Sequence, residues 1–189
     1  MTNAIDKIYK DSKDLYSLLI DDKEISLTNS IQDVYRKSLL LSIASYFEVK
    51  LTGIVIEYIR EKTGPRSIIT ELVKSKAINR QYHTWFDWNN SSANPFFALF
   101  GEDFKKYAIN EKNKSDELHQ SIKEFMSLGL DRNRLVHQDY ANFSLDKTTE
   151  EIYESYKLAC YFIEWVPKAL REYSSEECSV AAIEIHHEK

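Results

Sequence analysis

Apolar residues recur along most of this chain at steps of three and four rather than two, which is the spacing of helices with one buried face. A first helix is predicted over residues 3–20, where Ile5, Ile8, Leu15, Leu18 and Leu19 make a loose face and Asp21-Asp22-Lys23 ends it. The longest pattern runs over 27–63, with Thr28 or Ser30 as its cap and Gly64-Pro65 as its stop. Its middle, residues 39–47, is apolar on nearly every side, as befits a helix covered by several neighbours. A shorter helix follows over 67–78. Residues 80–100 are the least regular part, with Tyr82, Trp85, Phe86 and Trp88 anchoring the Asn89-Asn90-Ser91-Ser92 loop. A short helix is read from Gly101 to Tyr107, then a polar connection over 110–115. Two clear stripes close the chain: Leu118, Ile122, Phe125, Gly129, Arg132 and Val136, then Ile152, Tyr156, Ala159, Ile163, Val166 and Leu170, with Pro167 near the end. The expectation is an all-α bundle of four to five main helices with short accessory helices. It divides into an N-terminal helix and connection (1–26), a helical domain (27–173) and a tail left unassigned (174–189).

Composition supports this picture. Only 4 Gly and 3 Pro punctuate the 189 residues, too few for the turns of an antiparallel β protein. The formal charge of −5 argues against a general nucleic-acid binder, but not against a few cations placed in one cleft. Cys160 and Cys178 suit a reducing cytoplasm, and neither has a zinc-ligand partner at the required spacing, so no metal or cofactor is expected. Asp6, Lys7 and Lys10 exclude a signal peptide in the first ten residues, and no uninterrupted apolar run reaches the ~18 residues of a bilayer span. No membrane association is expected.

Arg132 breaks the 118–136 stripe. A guanidinium at a position calling for an apolar side chain costs several kcal/mol unless it is paired or wetted. Either a carboxylate answers it, or the stripe leaves the core there and faces a cleft. Asn133 and His137 lie four apart and share a helix face, whereas Arg132 stands about 140° from His137 on a straight helix. Gly129 and Asp131 offer a way to bend the helix, one by stopping it and the other by capping a new one. Chance gives Arg followed five residues later by His roughly 0.2 times in such a chain, and roughly 0.01 times once Asn must follow the Arg.

Arg132, Asn133 and His137 resemble the mark of the HEPN superfamily: Arg, a polar residue, three more residues, then His. The likeness extends to residues 94–111, to the helix leading into the motif and to residues 153–171, and it points to the RiboL-PSP-like group and its close relatives. Such a resemblance implies a helical bundle pairing about a two-fold axis, so that two motifs build one RNase site. It also implies RNA as substrate, homodimerisation, and an antitoxin or defence-system partner protein. Tyr140 lies three residues after His137, not two, which departs from the HEPN toxins paired with nucleotidyltransferases.

The residues suit that chemistry. Metal-independent RNA cleavage needs a base for the 2′-OH, an acid for the leaving oxygen and positive charge on the phosphorane. An imidazole, ordinarily titrating at about 6.5, suits the proton transfers of His137, and a two-pronged guanidinium suits the phosphate contact of Arg132. Asn133 would orient phosphate or imidazole, with Arg134 and Tyr140 as weaker RNA contacts. The alternative is a catalytically inactive HEPN dimerisation or interaction module. For the Tyr82–Trp88 cluster, packing is favoured over base stacking; for Lys105, Lys106, Lys112 and Lys114, a solvated face over a phosphate rim; and the His186-His187 pair lacks further metal ligands.

Overall fold

The computed structural model describes residues 4–187, with side chains described to Ser174. Cys178, His186 and His187 therefore lie outside the described side chains. The helices are α1 (Ala4–Asp21), α2 (Ile25–Thr63), α3 (Ile68–Val73), α4 (Asn94–Ala98), α5 (Glu102–Lys114), α6 (Asp116–His137) and α7 (Thr149–His187). No strand occurs among the described residues; an isolated bridge joins Asp87 and Ser92 around the Asn/Ser loop. The all-α bundle expected from the spacing is what forms.

Local chemistry sets most helix starts. Ser115 accepts from the Leu118 N–H at the start of α6, and Ser67 accepts from Ile69 at the start of α3. Thr148 and Glu151 close a reciprocal capping box ahead of α7. Several sequence boundaries need correction. Thr28 and Ser30 do not cap α2, which begins at Ile25; their hydroxyls donate back to the Glu24 and Ser26 carbonyls inside the first turns. Helix α5 continues past Tyr107 to Lys114, because Lys105, Lys106 and Lys114 pair with Glu102, Asp103 and Glu111 one turn earlier, leaving no loop over 110–114. These pairs neutralise three of the four lysines of the basic run on the outer face of α5. Pro167 sits inside α7 rather than near its end. The missing N–H costs one ladder bond, and burial of Phe162, Val166, Ala169 and Leu170 on both sides of it holds the helix together.

Helix α2 is the axis. Leu39, Leu40, Ile43, Phe47, Leu51 and Val55 are buried against α1, α6 and α7. Helix α1 joins the same core through Ile5, a Tyr9–Tyr153 stack at 3.9 Å and a Lys13–Glu150 ion pair at 2.8 Å. The stripe from Ile152 to Leu170 is buried throughout, as its period requires. Its middle being apolar on nearly every side, α2 contains an 18-residue window of mean hydropathy 1.7, long and apolar enough by length and composition to cross a membrane. This corrects the expectation of no such stretch: a search for an uninterrupted run is broken by Glu48 and Lys50, the only charges between Leu39 and Ile56.

Phe125 of α6 is the aromatic hub, its ring 5.5 Å from Phe47, 5.0 Å from Phe86, 5.9 Å from Trp88 and 5.1 Å from Phe162. The irregular segment 82–97 is thus folded into the core by its aromatics, as its composition suggested. Trp88 is seated directly on the α6 backbone at Gly129, where an added Cβ would overlap the indole ring. The close approach explains why α6 runs unbroken through Gly129: the glycine is used for packing, not for stopping the helix. Gly129→Ala should destabilise the fold by about 1–3 kcal/mol through overpacking, more than the roughly 1 kcal/mol that alanine's helix propensity returns. A urea midpoint that stays or rises would contradict the seating of Trp88.

Candidate functional site

Helix α6 carries the Arg-Asn-x-x-x-His residues through its last two turns and stops at His137. Because the helix runs unbroken from Asp116 to His137, Arg132 and His137 keep the wide separation in azimuth that helical geometry gives. Asp131 caps nothing: its carboxylate pairs with Lys147 at 2.8 Å, and Lys147 also donates to Ser127 at 2.6 Å. Nor does the apolar stripe run on to Val136, which is 43% exposed; Leu135, one residue earlier, is fully buried. The stripe rotates off the core in the last turn, and this brings the motif to the surface.

Arg132 resolves as facing a cleft. Among the described residues no carboxylate lies within ion-pair distance of its guanidinium, which donates to Asn133 Oδ1 at 3.1 Å. Arg132 and Asn133 line a cavity of about 120 Å³ with Tyr82, Trp88 and Phe125 in its walls and Glu48, Arg80 and His83 as exposed groups around it. On its other side Asn133 lines a shallower recess of about 430 Å³ with Arg134, His137, Gln138 and Asn89. Asn133 is the link between the two recesses. Within one chain the guanidinium and the imidazole do not share a cavity.

His137 is exposed and meets no hydrogen-bond or ion-pair partner among the described residues, and the same holds for Arg134. Three arginines and two histidines therefore gather around a surface where Glu48 is the carboxylate, on a chain of net charge −5. Such a local excess of unpaired donors suits an anion such as a phosphodiester. Sequence reasoning did not place Glu48, Arg80, His83 or Asn89 at this site. They sit some forty to eighty positions from the motif, with no local periodicity to tie them to it. Arg80 adopts a left-handed backbone (φ 60°), which is uncommon for arginine and marks a turn held in place by its surroundings.

Tyr140 stands apart from both recesses. Its carbonyl accepts from Lys37 Nζ at 2.9 Å, and that ammonium lies 5.1 Å from its ring centroid. Lys37 is 2% exposed and also pairs with Asp33 at 2.6 Å, while Arg36 donates to the Leu145 carbonyl at 3.2 Å. Helix α2 thus clamps the loop that follows His137. Lys37→Met keeps the apolar stem and removes charge-assisted hydrogen bonds worth about 1.5–3 kcal/mol. Faster amide exchange over residues 138–143, together with a lowered urea midpoint, is the expected result; unchanged exchange there would refute the clamp.

The sequence model of the RiboL-PSP-HEPN family matches residues 4–172, a span that takes in α1 as well as the motif helix and the 153–171 likeness. No curated protein and no solved structure matches.

Proposed function

The chain belongs to the RiboL-PSP-HEPN family, and on that premise we propose that it is a metal-independent endoribonuclease acting as a toxin or defence effector in the cytoplasm. Its site is composite, formed where the motif faces of two copies meet about a two-fold axis. One observation carries this reading: a guanidinium with no ion pair and an exposed imidazole flank the same asparagine on a cation-rich surface. Half-buried and without an ion pair among the described residues, the Arg132 guanidinium is left for an anionic ligand to complete.

The 2′-OH gives its proton to one His137 imidazole as its oxygen attacks phosphorus. The P–O5′ bond then breaks, and the departing oxygen takes a proton from the corresponding imidazole of the second copy. Arg132 holds the non-bridging oxygens as charge builds on them, and Asn133, itself held by Arg132, orients the phosphate. The products carry a 2′,3′-cyclic phosphate and a 5′-OH. Two copies supply both imidazoles that the proton transfers need, so the separation of Arg132 from His137 within one chain is bridged between chains. An antitoxin or defence partner that covers this face would silence it.

The experiment is cleavage of RNA by the purified chain with EDTA present, scored for cyclic-phosphate ends, with host growth on expression measured in parallel. The separate recesses of Arg132 and His137 favour one second reading, an inactive interaction module using the same face. That reading predicts a stable dimer that cleaves no RNA and leaves growth unaffected.

A further inference from the structure

The cavity beside Arg132 has walls that phosphodiester chemistry does not require. Phe47, Phe125 and Leu128 are buried apolar residues, and Tyr82 packs against Trp85 at 5.7 Å, Phe86 at 5.8 Å and Trp88 at 6.2 Å. The polar atoms of this aromatic cluster are satisfied with one exception among the described residues. Trp85 Nε1 donates to the Ala77 carbonyl and Trp88 Nε1 to that of His83, both at 3.0 Å, whereas the Tyr82 hydroxyl has no hydrogen-bond partner. Burial pushes the Tyr82 phenol far above its ordinary range, Glu48 adds to that shift and Arg132 opposes it. The phenol thus stays a neutral O–H donor, with a carboxylate and a guanidinium close enough to act on it. The Tyr82 hydroxyl keeps some access to solvent at the cavity, so water completes it in the free chain and a ligand acceptor can replace that water.

Size and chemistry narrow the ligand. At about 120 Å³ the cavity is well below the roughly 300–1,000 Å³ of sites that enclose a whole ligand. It holds one flat ring system, with apolar walls for the faces and polar groups for the edge. Asn133 borders this cavity and the His137 recess alike, so a base here would belong to a nucleotide next to the reacting phosphate. Guanine matches the edge groups: its N1–H and N2 amine are adjacent donors for a carboxylate, and its O6 and N7 are acceptors for a guanidinium. Uracil has no amine, and adenine sets a ring acceptor where the carboxylate would need a donor.

We infer that the cavity bounded by Tyr82, Trp88, Glu48 and Arg132 is a nucleobase subsite that selects guanine beside the scissile phosphate. This rests on the RNA-cleaving reading of the adjoining recess. Glu48 accepts from the Watson–Crick edge, Arg80 meets the O6/N7 side, and the Tyr82 hydroxyl completes the set, which leaves Arg132 to the phosphate.

Titration of the four ribonucleoside monophosphates into the full chain, followed by tryptophan fluorescence, tests it without requiring cleavage. Guanosine monophosphate should bind roughly tenfold or more tighter than the other three. Glu48→Gln, an exposed and well-tolerated change, should remove that preference, and Tyr82→Phe should weaken guanosine monophosphate roughly fivefold. Equal binding of all four, binding of none, or preference for another base overturns the subsite. A second arm sequences the ends of cleaved RNA: guanine should flank the cuts of the natural chain and lose its enrichment with Glu48→Gln. Cleavage with no base preference sinks the subsite and leaves the nuclease standing. Selective guanosine monophosphate binding with no cleavage of any RNA does the reverse.

Discussion

His137→Ala and Arg132→Ala are each expected to lower RNA cleavage by about two to four orders of magnitude in single-turnover assays with EDTA present. Removing a positioned general acid or base costs about 10²–10⁴, and removing a donor aimed at developing transition-state charge costs about 10²–10³. Arg132→Lys keeps the charge but loses the two-pronged fork, so it should recover only part of the loss. The fold supplies an internal control. Arg132 contacts only the neighbouring Asn133 by hydrogen bond and His137 is exposed, so both alanine variants should unfold within about 0.5 kcal/mol of the natural chain. Lost cleavage with unchanged stability assigns the residues to chemistry. Full activity in both variants would remove the site from contention, whatever the family.

Phe125→Ala is expected to cost about 3–5 kcal/mol, the usual toll for emptying a buried aromatic position. Phe125 is 1% exposed and touches aromatic rings from α2, α7 and the 82–97 segment, so no single neighbour can collapse into the gap. Against a typical total of about 5–15 kcal/mol, that change should lower the urea midpoint severely. It would also open the cavity beside Arg132, which Phe125 lines, so binding there should fail along with stability. A cost below about 1 kcal/mol would mean that the hub is not where the bundle is held.

Helix α6 shows where sequence and structure part company. Leu118, Ile122 and Phe125 announce its buried face in their spacing, because spacing is a property of neighbours along the chain. Gly129 carries two opposite local meanings, a stop or a close contact, and only Trp88, forty-one residues earlier, decides between them. Asp131 likewise reads as a cap until Lys147 is seen to claim it. The same limit hid Glu48, Arg80 and Asn89 from the sequence: each is an ordinary polar residue until the fold sets it beside Arg132 or His137.

What the sequence determined by itself was the helical class, the order of the main helices, the buried stripe of α7 and the Arg-Asn-x-x-x-His residues. Periodicity and a short motif are both written within a few turns of chain. What only tertiary structure decided was that Arg132 faces a cleft with no carboxylate in ion-pair reach among the described residues, that Tyr140 serves the Lys37 clamp, and that Asn133 joins two recesses. Those facts depend on which distant surfaces meet, and the packing of α2 and the aromatic segment against α6 determines that meeting.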